Sequence, residues 1–243
     1  MASVGFLGLG KIGKAVLEEA KRLNCEIAYV LDPFLKDANG LPVVTAPAAA
    51  DLVVECATAD ALKEHFDAII AQSDLLVFSL TAFSDAAFAD HAREAAQRSG
   101  HHIYFPHGAI LGLDGIWDGR EIITDVSIET VKSPASLGLT LTERTVVYEG
   151  STRQACQAFP RNVNVHAAVA LAGIGFDKTV SRIVADPAVK TNTHHITVEG
   201  EGIHFHLEIS SFTTGGVTGV YTPKSACGSL RRLLAKDEVF AFV

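Results

Sequence analysis

The sequence predicts an α/β chain: a parallel, doubly wound N-terminal domain joined to a second, α+β domain built on a mostly antiparallel sheet. Three observations predict it. A short apolar run at Val4–Leu7 passes into Gly8-x-Gly10-x-x-Gly13 and then into a helical pattern. Strand-like and helix-like segments then alternate as far as about residue 108, the signature of a parallel sheet covered by helices. From about Glu121 the pattern changes to longer strands broken by two helical stretches.

Each element follows from its residues. The glycines suit a tight strand-to-helix turn, close approach of a ligand to the backbone, and close packing of helix on strand, in that order. Ala15, Val16, Ala20 and Leu23 give the next segment an apolar stripe, and Glu26–Leu31 reads as a second strand ending at Asp32. Such a strand, Gly-rich turn and helix are expected to form a nicotinamide or flavin dinucleotide site of the Rossmann type, with the amides that open the helix facing the phosphates, the alternative being a merely structural glycine turn. Gly8, Gly10, Lys11, Ile12 and Gly13 are therefore candidate cofactor contacts. Asp32 stands about 20 residues beyond the glycines, where an acid accepts from the adenosine ribose hydroxyls and repels a 2′-phosphate. With Pro33 and Phe34 beside it and no Arg, it favours NAD, with NADP as the alternative.

Beyond Asp32 a Pro- and Ala-rich segment carries a short apolar run at Leu41–Val44. Asp51–Cys56, Leu75–Ser79 and His102–Phe105 read as strands, and Asp60–Ala71 and Asp85–Arg98 as helices. Ligands of such sheets bind beyond the carboxyl ends of the strands, so Ala57-Thr58, Leu80-Thr81 and His107-Gly108-Ala109 are candidates to line the site. In the second domain strands are expected at Ile122–Val131, Thr145–Glu149, Thr179–Ala185, Thr193–Glu199 and Ile203–Ser211. Helices are expected at Thr152–Phe159 and Val163–Ala172, with a hairpin turn at Gly200-Glu201-Gly202. A Gly- and Thr-rich passage, Thr213–Thr222, precedes a last helix over Ser225–Leu234. The expected division is residues 1–110, 111–218 and a returning C-terminal segment, 219–243.

Composition bounds the partners. The chain has 243 residues, 48% of them hydrophobic, enough for a substantial core, and a net charge of −8. That charge disfavours nucleic acid and acidic membrane, which attract basic surfaces, and leaves a small molecule as the expected ligand. No apolar run approaches the roughly 20 residues that span a bilayer, and the N-terminus enters its first strand at once, so a cytoplasmic protein is expected. Cys25, Cys56, Cys156 and Cys227 are too scattered for a disulfide framework or zinc knuckle.

Downstream, Pro106–Asp114, Phe159–Val165, Ala185-Asp186-Pro187, Asn192–Ile196 and Thr222–Ser225, taken with the glycine fingerprint, resemble the L-aspartate dehydrogenase family over nearly the whole chain. The resemblance implies a Rossmann domain joined to an α+β domain that carries substrate and dimer contacts, hence a homodimer. It implies reversible, nicotinamide-dependent deamination of L-aspartate through iminosuccinate to oxaloacetate and ammonia, or release of iminosuccinate toward NAD synthesis. Position by position, His194 matches the family's active-site histidine, and Ala109 and Asn164 match cofactor contacts. Imidazole chemistry agrees with the first assignment, because hydration of an imine and departure of ammonia both need a proton acceptor or donor near neutral pH. Asn164 could equally serve as a plain helix N-cap. His195 should face the other way if the segment is extended. His204 and His206 share a strand face, but no carboxylate or Cys spacing supports a metal with them, and none is expected.

The chain departs from the family pattern at His107, where Ser is usual, at Leu111, where Gly is usual, and at Val131, where an Arg precedes the Lys. The loss of that Arg leaves Lys132 and His107 as candidate anchors for a dicarboxylic substrate. A reductase of another imine or 2-oxo acid, and a dinucleotide-binding protein without catalysis, are the alternatives.

Overall fold

A computed structural model describes residues 1–35, 39–212 and 219–234. The chain forms two compact units, Met1–Pro106 with the chain from Pro223 onward, and His107–Thr222.

The first unit holds β1 (Ser3–Leu7), α1 (Lys11–Arg22), β2 (Glu26–Leu31), β3 (Leu52–Glu55), α2 (Ala59–Ile70), β4 (Asp74–Val77), α3 (Ala86–Ser99) and β5 (Ile103–Tyr104). Its sheet is all parallel, in the order β2-β1-β3-β4-β5, so the winding reverses between β1 and β3. The helix starts have local causes. The Thr58 hydroxyl accepts from the Ala61 amide and the Asp85 carboxylate from the Phe88 amide, each satisfying a first-turn donor that has no intrahelical partner. The apolar stripe of α1, with Val16, Leu17 and Ala20, is buried against Val4, Phe6, Val30, Leu52 and Val54 of the strands.

The second unit holds α4 (Leu113–Gly119), β6 (Ile123–Lys132), β7 (Thr145–Ser151), α5 (Thr152–Ala158), α6 (Asn164–Ala172), β8 (Val180–Ala185), β9 (Asn192–Gly200) and β10 (Ile203–Ser211). Its strand order is β10-β9-β6-β8-β7. β6 and β8 run parallel and the other three pairs antiparallel, so the sheet is mixed and mostly antiparallel. α5 and α6 pack on one face of it. α6 is apolar nearly all round and buried, which marks it as the centre of this unit. The β9–β10 hairpin turns on Gly202, whose φ of 75° is open to glycine without strain.

A last helix, α7 (Tyr221–Leu234), adds Ala226 and Leu230 to the core of the first unit. Arg231 pairs there with Glu19 at 2.7 Å, and Arg22 holds the same carboxylate at 2.6 Å. The two guanidiniums bring Glu19 down to about 2.

Two helices differ from expectation. α4 was not legible, because Gly115 and Gly119 hide a helix whose inward contacts are Leu113 and Ile116, three apart. α7 begins at Tyr221 instead of Ser225, with Pro223 in the first turn, where a missing N–H removes no helical bond. The apolar run at Leu41–Val44 forms no strand of its own and contributes one bridge, Val43 to Val30. Residues 213–218 of the Gly- and Thr-rich passage, which include the expected domain limit at 218, lie outside the described residues.

Candidate functional site

In the first unit the three fingerprint glycines sit in different surroundings. Gly8 takes φ +87°, and a Cβ there would lie 2.9 Å from the Ala57 backbone at the end of β3. At Gly13 a Cβ would meet the Gly8 carbonyl at 2.5 Å, which is why α1 can approach β1 so closely. A Cβ at Gly10 would find nothing within 4 Å. Two glycines thus serve the fold of the turn, and the third keeps a space that the protein itself does not fill. That space fits a pyrophosphate at the start of α1, where the amides of Lys11, Ile12 and Gly13 open the helix.

Asp32 closes this site from β2. Its Oδ2 accepts from the Leu9 amide at 2.8 Å and its Oδ1 from the Phe34 amide at 2.9 Å. A carboxylate offers about four acceptor sites, so the two amides fix its orientation and leave capacity for ribose hydroxyls. A groove of about 910 Å³ opens beside it, lined by Leu9, Gly10, Lys14, Asp32, Phe34 and Leu41 among others.

Glu55, at the end of β3, was missed by sequence reasoning. It is fully buried, and its carboxylate accepts from the amides of Ala57 (2.7 Å), Phe78 (3.2 Å) and Ser79 (2.9 Å) and from the Ser79 hydroxyl (2.7 Å). Burial pushes its pKa up while these donors pull it back. It ties the ends of β3 and β4 together at the rim where ligands of such sheets bind.

In the second unit, His194 of β9 is 5% exposed and lies opposite Thr130 of β6. Its Nδ1 is 2.8 Å from the Thr130 hydroxyl oxygen, which is in turn 2.7 Å from Nε2 of the buried His166 on α6. Burial and the neighbouring Lys132 charge bring His194 down to about 4, so the imidazole is neutral at neutral pH. Lys132 stands two residues beyond Thr130 on the same face of β6. It is 3% exposed, donates to the Asn162 side-chain carbonyl at 3.0 Å, and is brought down to about 8 by burial. A buried ammonium held by one neutral acceptor retains donors for an anion.

His195 points to the opposite face, 3.7 Å from Glu208 and stacked on His206. His204 pairs with Glu199 at 2.6 Å. Among the described residues no group of three or more His, Cys, Asp or Glu is arranged to hold a metal. Asn164 is the first residue of α6 and not its N-cap, which is Val163. His107 and Ala109 lie in the turn before α4, where Gly108 takes φ +63°. Leu80-Thr81 begins a short 3-10 turn after β4.

These features define a class: a nicotinamide-dinucleotide oxidoreductase whose second unit carries a buried imidazole and a buried ammonium on one sheet face. Comparison with known proteins narrows it. Residues 117–233 match the family described as aspartate dehydrogenase, C-terminal, and residues 8–106 match the homoserine dehydrogenase NAD-binding domain. The chain is 35% identical over 240 residues to L-aspartate dehydrogenase of Thermotoga maritima, covering 96% of this chain and 98% of that one. It is 37% identical over 202 residues to the Archaeoglobus fulgidus enzyme of the same name, covering 82% of each. The crystal structure of the Thermotoga maritima aspartate dehydrogenase superimposes with a TM-score of 0.87 at 32% identity, over 100% of both chains. The chain belongs to the L-aspartate dehydrogenase family, and its first unit is an NAD-binding domain.

Proposed function

We propose that this chain catalyses the reversible NAD-dependent oxidative deamination of L-aspartate, through iminosuccinate, to oxaloacetate and ammonia. The observation that carries the reading is the pairing of a buried neutral His194 with a buried Lys132 on one sheet face, in a chain of this family. When bound, NAD would supply the hydride acceptor for the oxidation. Gly8, Gly10, Lys11, Ile12, Gly13 and Asp32 hold the cofactor, and Ala109 and Asn164 keep the contacting roles that the family resemblance gives them. Lys132, with His107, anchors the substrate carboxylates. His194 takes a proton from the water that adds to the iminium carbon, gives it to the carbinolamine nitrogen, and takes the hydroxyl proton as the C–N bond breaks, the carbonyl forms and ammonia leaves. Among the described residues no helix is long and apolar enough to cross a membrane. A homodimer in the cytoplasm, acting on small molecules without nucleic acid, completes the proposal.

The direct test is oxidation of NADH with ammonia and a panel of 2-oxo acids. Oxaloacetate is expected to be the best substrate, and a better rate with pyruvate or 2-oxoglutarate would remove the aspartate assignment while leaving a dehydrogenase.

Lys132→Ala is expected to raise the KM for aspartate about 30-fold, equivalent to about 2 kcal/mol, with a smaller effect on kcat. In the wild type the KM for aspartate should climb above about pH 8, as Nζ loses its proton. A flat KM profile to pH 10 would take Lys132 out of substrate binding.

Asp32→Ser should narrow the preference for NADH over NADPH, measured as the ratio of dissociation constants, because the charge that repels a 2′-phosphate is gone. It should also weaken NADH itself, since the Leu9 amide loses its acceptor. An unchanged ratio would mean that Asp32 does not face the ribose.

A further inference from the structure

His194 is the near end of an unbroken series of buried polar contacts. Its Nδ1 meets the Thr130 hydroxyl at 2.8 Å, and that hydroxyl meets His166 Nε2 at 2.7 Å. His166 Nδ1 meets the Ser181 hydroxyl at 2.9 Å, and Ser181 meets the Thr152 hydroxyl at 2.7 Å. The Thr152 hydroxyl donates to the Thr179 carbonyl at 3.0 Å. The series crosses five elements, β9, β6, α6, β8 and α5, and all its side chains are buried.

We propose that Thr130, His166, Ser181 and Thr152 form a one-way hydrogen-bond chain, anchored on the Thr179 carbonyl, that holds His194 with its proton on Nδ1 and leaves Nε2 as a bare lone pair for the reaction. The inference rests on the reading of His194 as the acid–base group.

The direction follows from counting protons. A carbonyl oxygen only accepts, so the Thr152 hydroxyl spends its single proton on Thr179 and must accept from Ser181. Ser181, having given its proton, must accept from Nδ1–H of His166. Burial brings His166 down to about 3, so the ring is neutral and carries one proton. With that proton on Nδ1, Nε2 can only accept, and it accepts from the Thr130 hydroxyl. Thr130 must then accept from Nδ1–H of His194. The opposite polarity would turn the Thr152 hydroxyl away from the Thr179 carbonyl and place the His194 proton on Nε2.

The consequence is chemical. At rest His194 presents an acceptor and no donor at Nε2, so its first act in deamination is to take a proton from water. The donor that later protonates nitrogen is the imidazolium made in that step. The chain ends on a backbone carbonyl, which has no proton to pass on, so it positions His194 and does not conduct protons to solvent. Thr130, His166, Ser181 and Thr152 are positioning residues.

The test is ¹⁵N NMR of the histidine rings in the full chain near neutral pH, with His194 assigned by its loss in His194→Gln. A pyrrole-type Nδ1 and a pyridine-type Nε2 are expected, and the reverse pattern overturns the proposal without activity entering the measurement. Thr130→Val keeps the side-chain shape and cuts the first link. It should lower kcat by about 10²-fold, below the roughly 10⁴-fold that a wrong histidine tautomer costs in a serine-protease triad. The KM for aspartate and the NADH dissociation constant should hold, and Thr130→Ser should recover most of the rate. Ser181→Ala, two links further away, should lower kcat by roughly 10-fold, as loss of an outer partner of a functional histidine commonly does, and should mix the His194 tautomers. Wild-type kcat and an unmixed tautomer in both Thr130→Val and Ser181→Ala would overturn the chain. If His194→Ala were fully active, the catalytic reading would fall while the tautomer result stood apart from it.

Discussion

Replacing His194 with alanine should lower kcat by about 10²–10⁴-fold, the usual contribution of a general acid–base group. NADH should still bind, because the glycine turn and Asp32 belong to the first unit and do not use this side chain. His195→Ala, one residue away, should change kcat by less than about 2-fold, since its ring lies on the other face with Glu208 and His206. The pair of variants separates a chemical role from a structural one. Fluorescence titration with NADH and steady-state rates with aspartate decide it. Equal and severe losses in both variants would refute the assignment by strand face, and a fully active His194→Ala would take the imidazole out of the mechanism. The wild-type rate should also decline in acid as His194 becomes protonated, near the value of about 4 to which burial and Lys132 bring it.

Glu55→Ala should strongly destabilise the first unit. It removes the acceptor of the Ala57 and Ser79 amides and of the Ser79 hydroxyl, while the Phe78 amide keeps the Glu55 backbone carbonyl at 3.1 Å. Each unsatisfied buried donor costs about 1–3 kcal/mol, so a loss of at least about 3 kcal/mol is expected even after partial relaxation. Urea unfolding monitored with and without NADH would measure it as a lower midpoint at unchanged slope. Affinity for NADH should fall as well, because Glu55 holds the Ala57 amide, and the Ala57 backbone is what Gly8 turns against. Glu55→Gln keeps the shape but directs an NH₂ group toward donors, so it should recover only part of the stability. If Glu55→Ala unfolds at the wild-type midpoint, the carboxylate is not what ties the ends of β3 and β4.

Much of the fold was legible because its cause is periodic. Glu26–Leu31 and Ile203–Ser211 were readable as strands to the residue, and Thr152 and Ala172 as helix limits, since apolar spacing and polar starts are local signals. α4 was not, because its two glycines dilute the signal and its burial depends on elements distant in sequence. At the site, Gly8, Gly13 and Asp32 could be assigned roles from spacing alone, as the turn they make is local. The alternation of a strand likewise separated His194 from His195. Glu55 read as the last residue of an apolar strand, and nothing nearby announces that the β4 end supplies most of its donors. Thr130, His166, Ser181 and Thr152 were equally silent. Each is an ordinary residue for its element, and their relation exists only once β6, β8 and β9 are in register with α5 and α6 against them. Lys132 was identified through the family resemblance, but its burial, on which its lowered pKa depends, is a property of packing.

The place of α7 in the chain sets an order of events during synthesis. The second unit is one continuous segment, His107–Thr222, and can close its core as soon as that segment has left the ribosome. The first unit, although made earlier, lacks Ala226 and Leu230 until the last helix emerges, and must bring them back across more than two hundred residues to join Val16 and Ala20. Contacts of such long separation form late. The core of the nucleotide-binding half is therefore complete only after α7 has been made, although nearly all of that half is synthesised first.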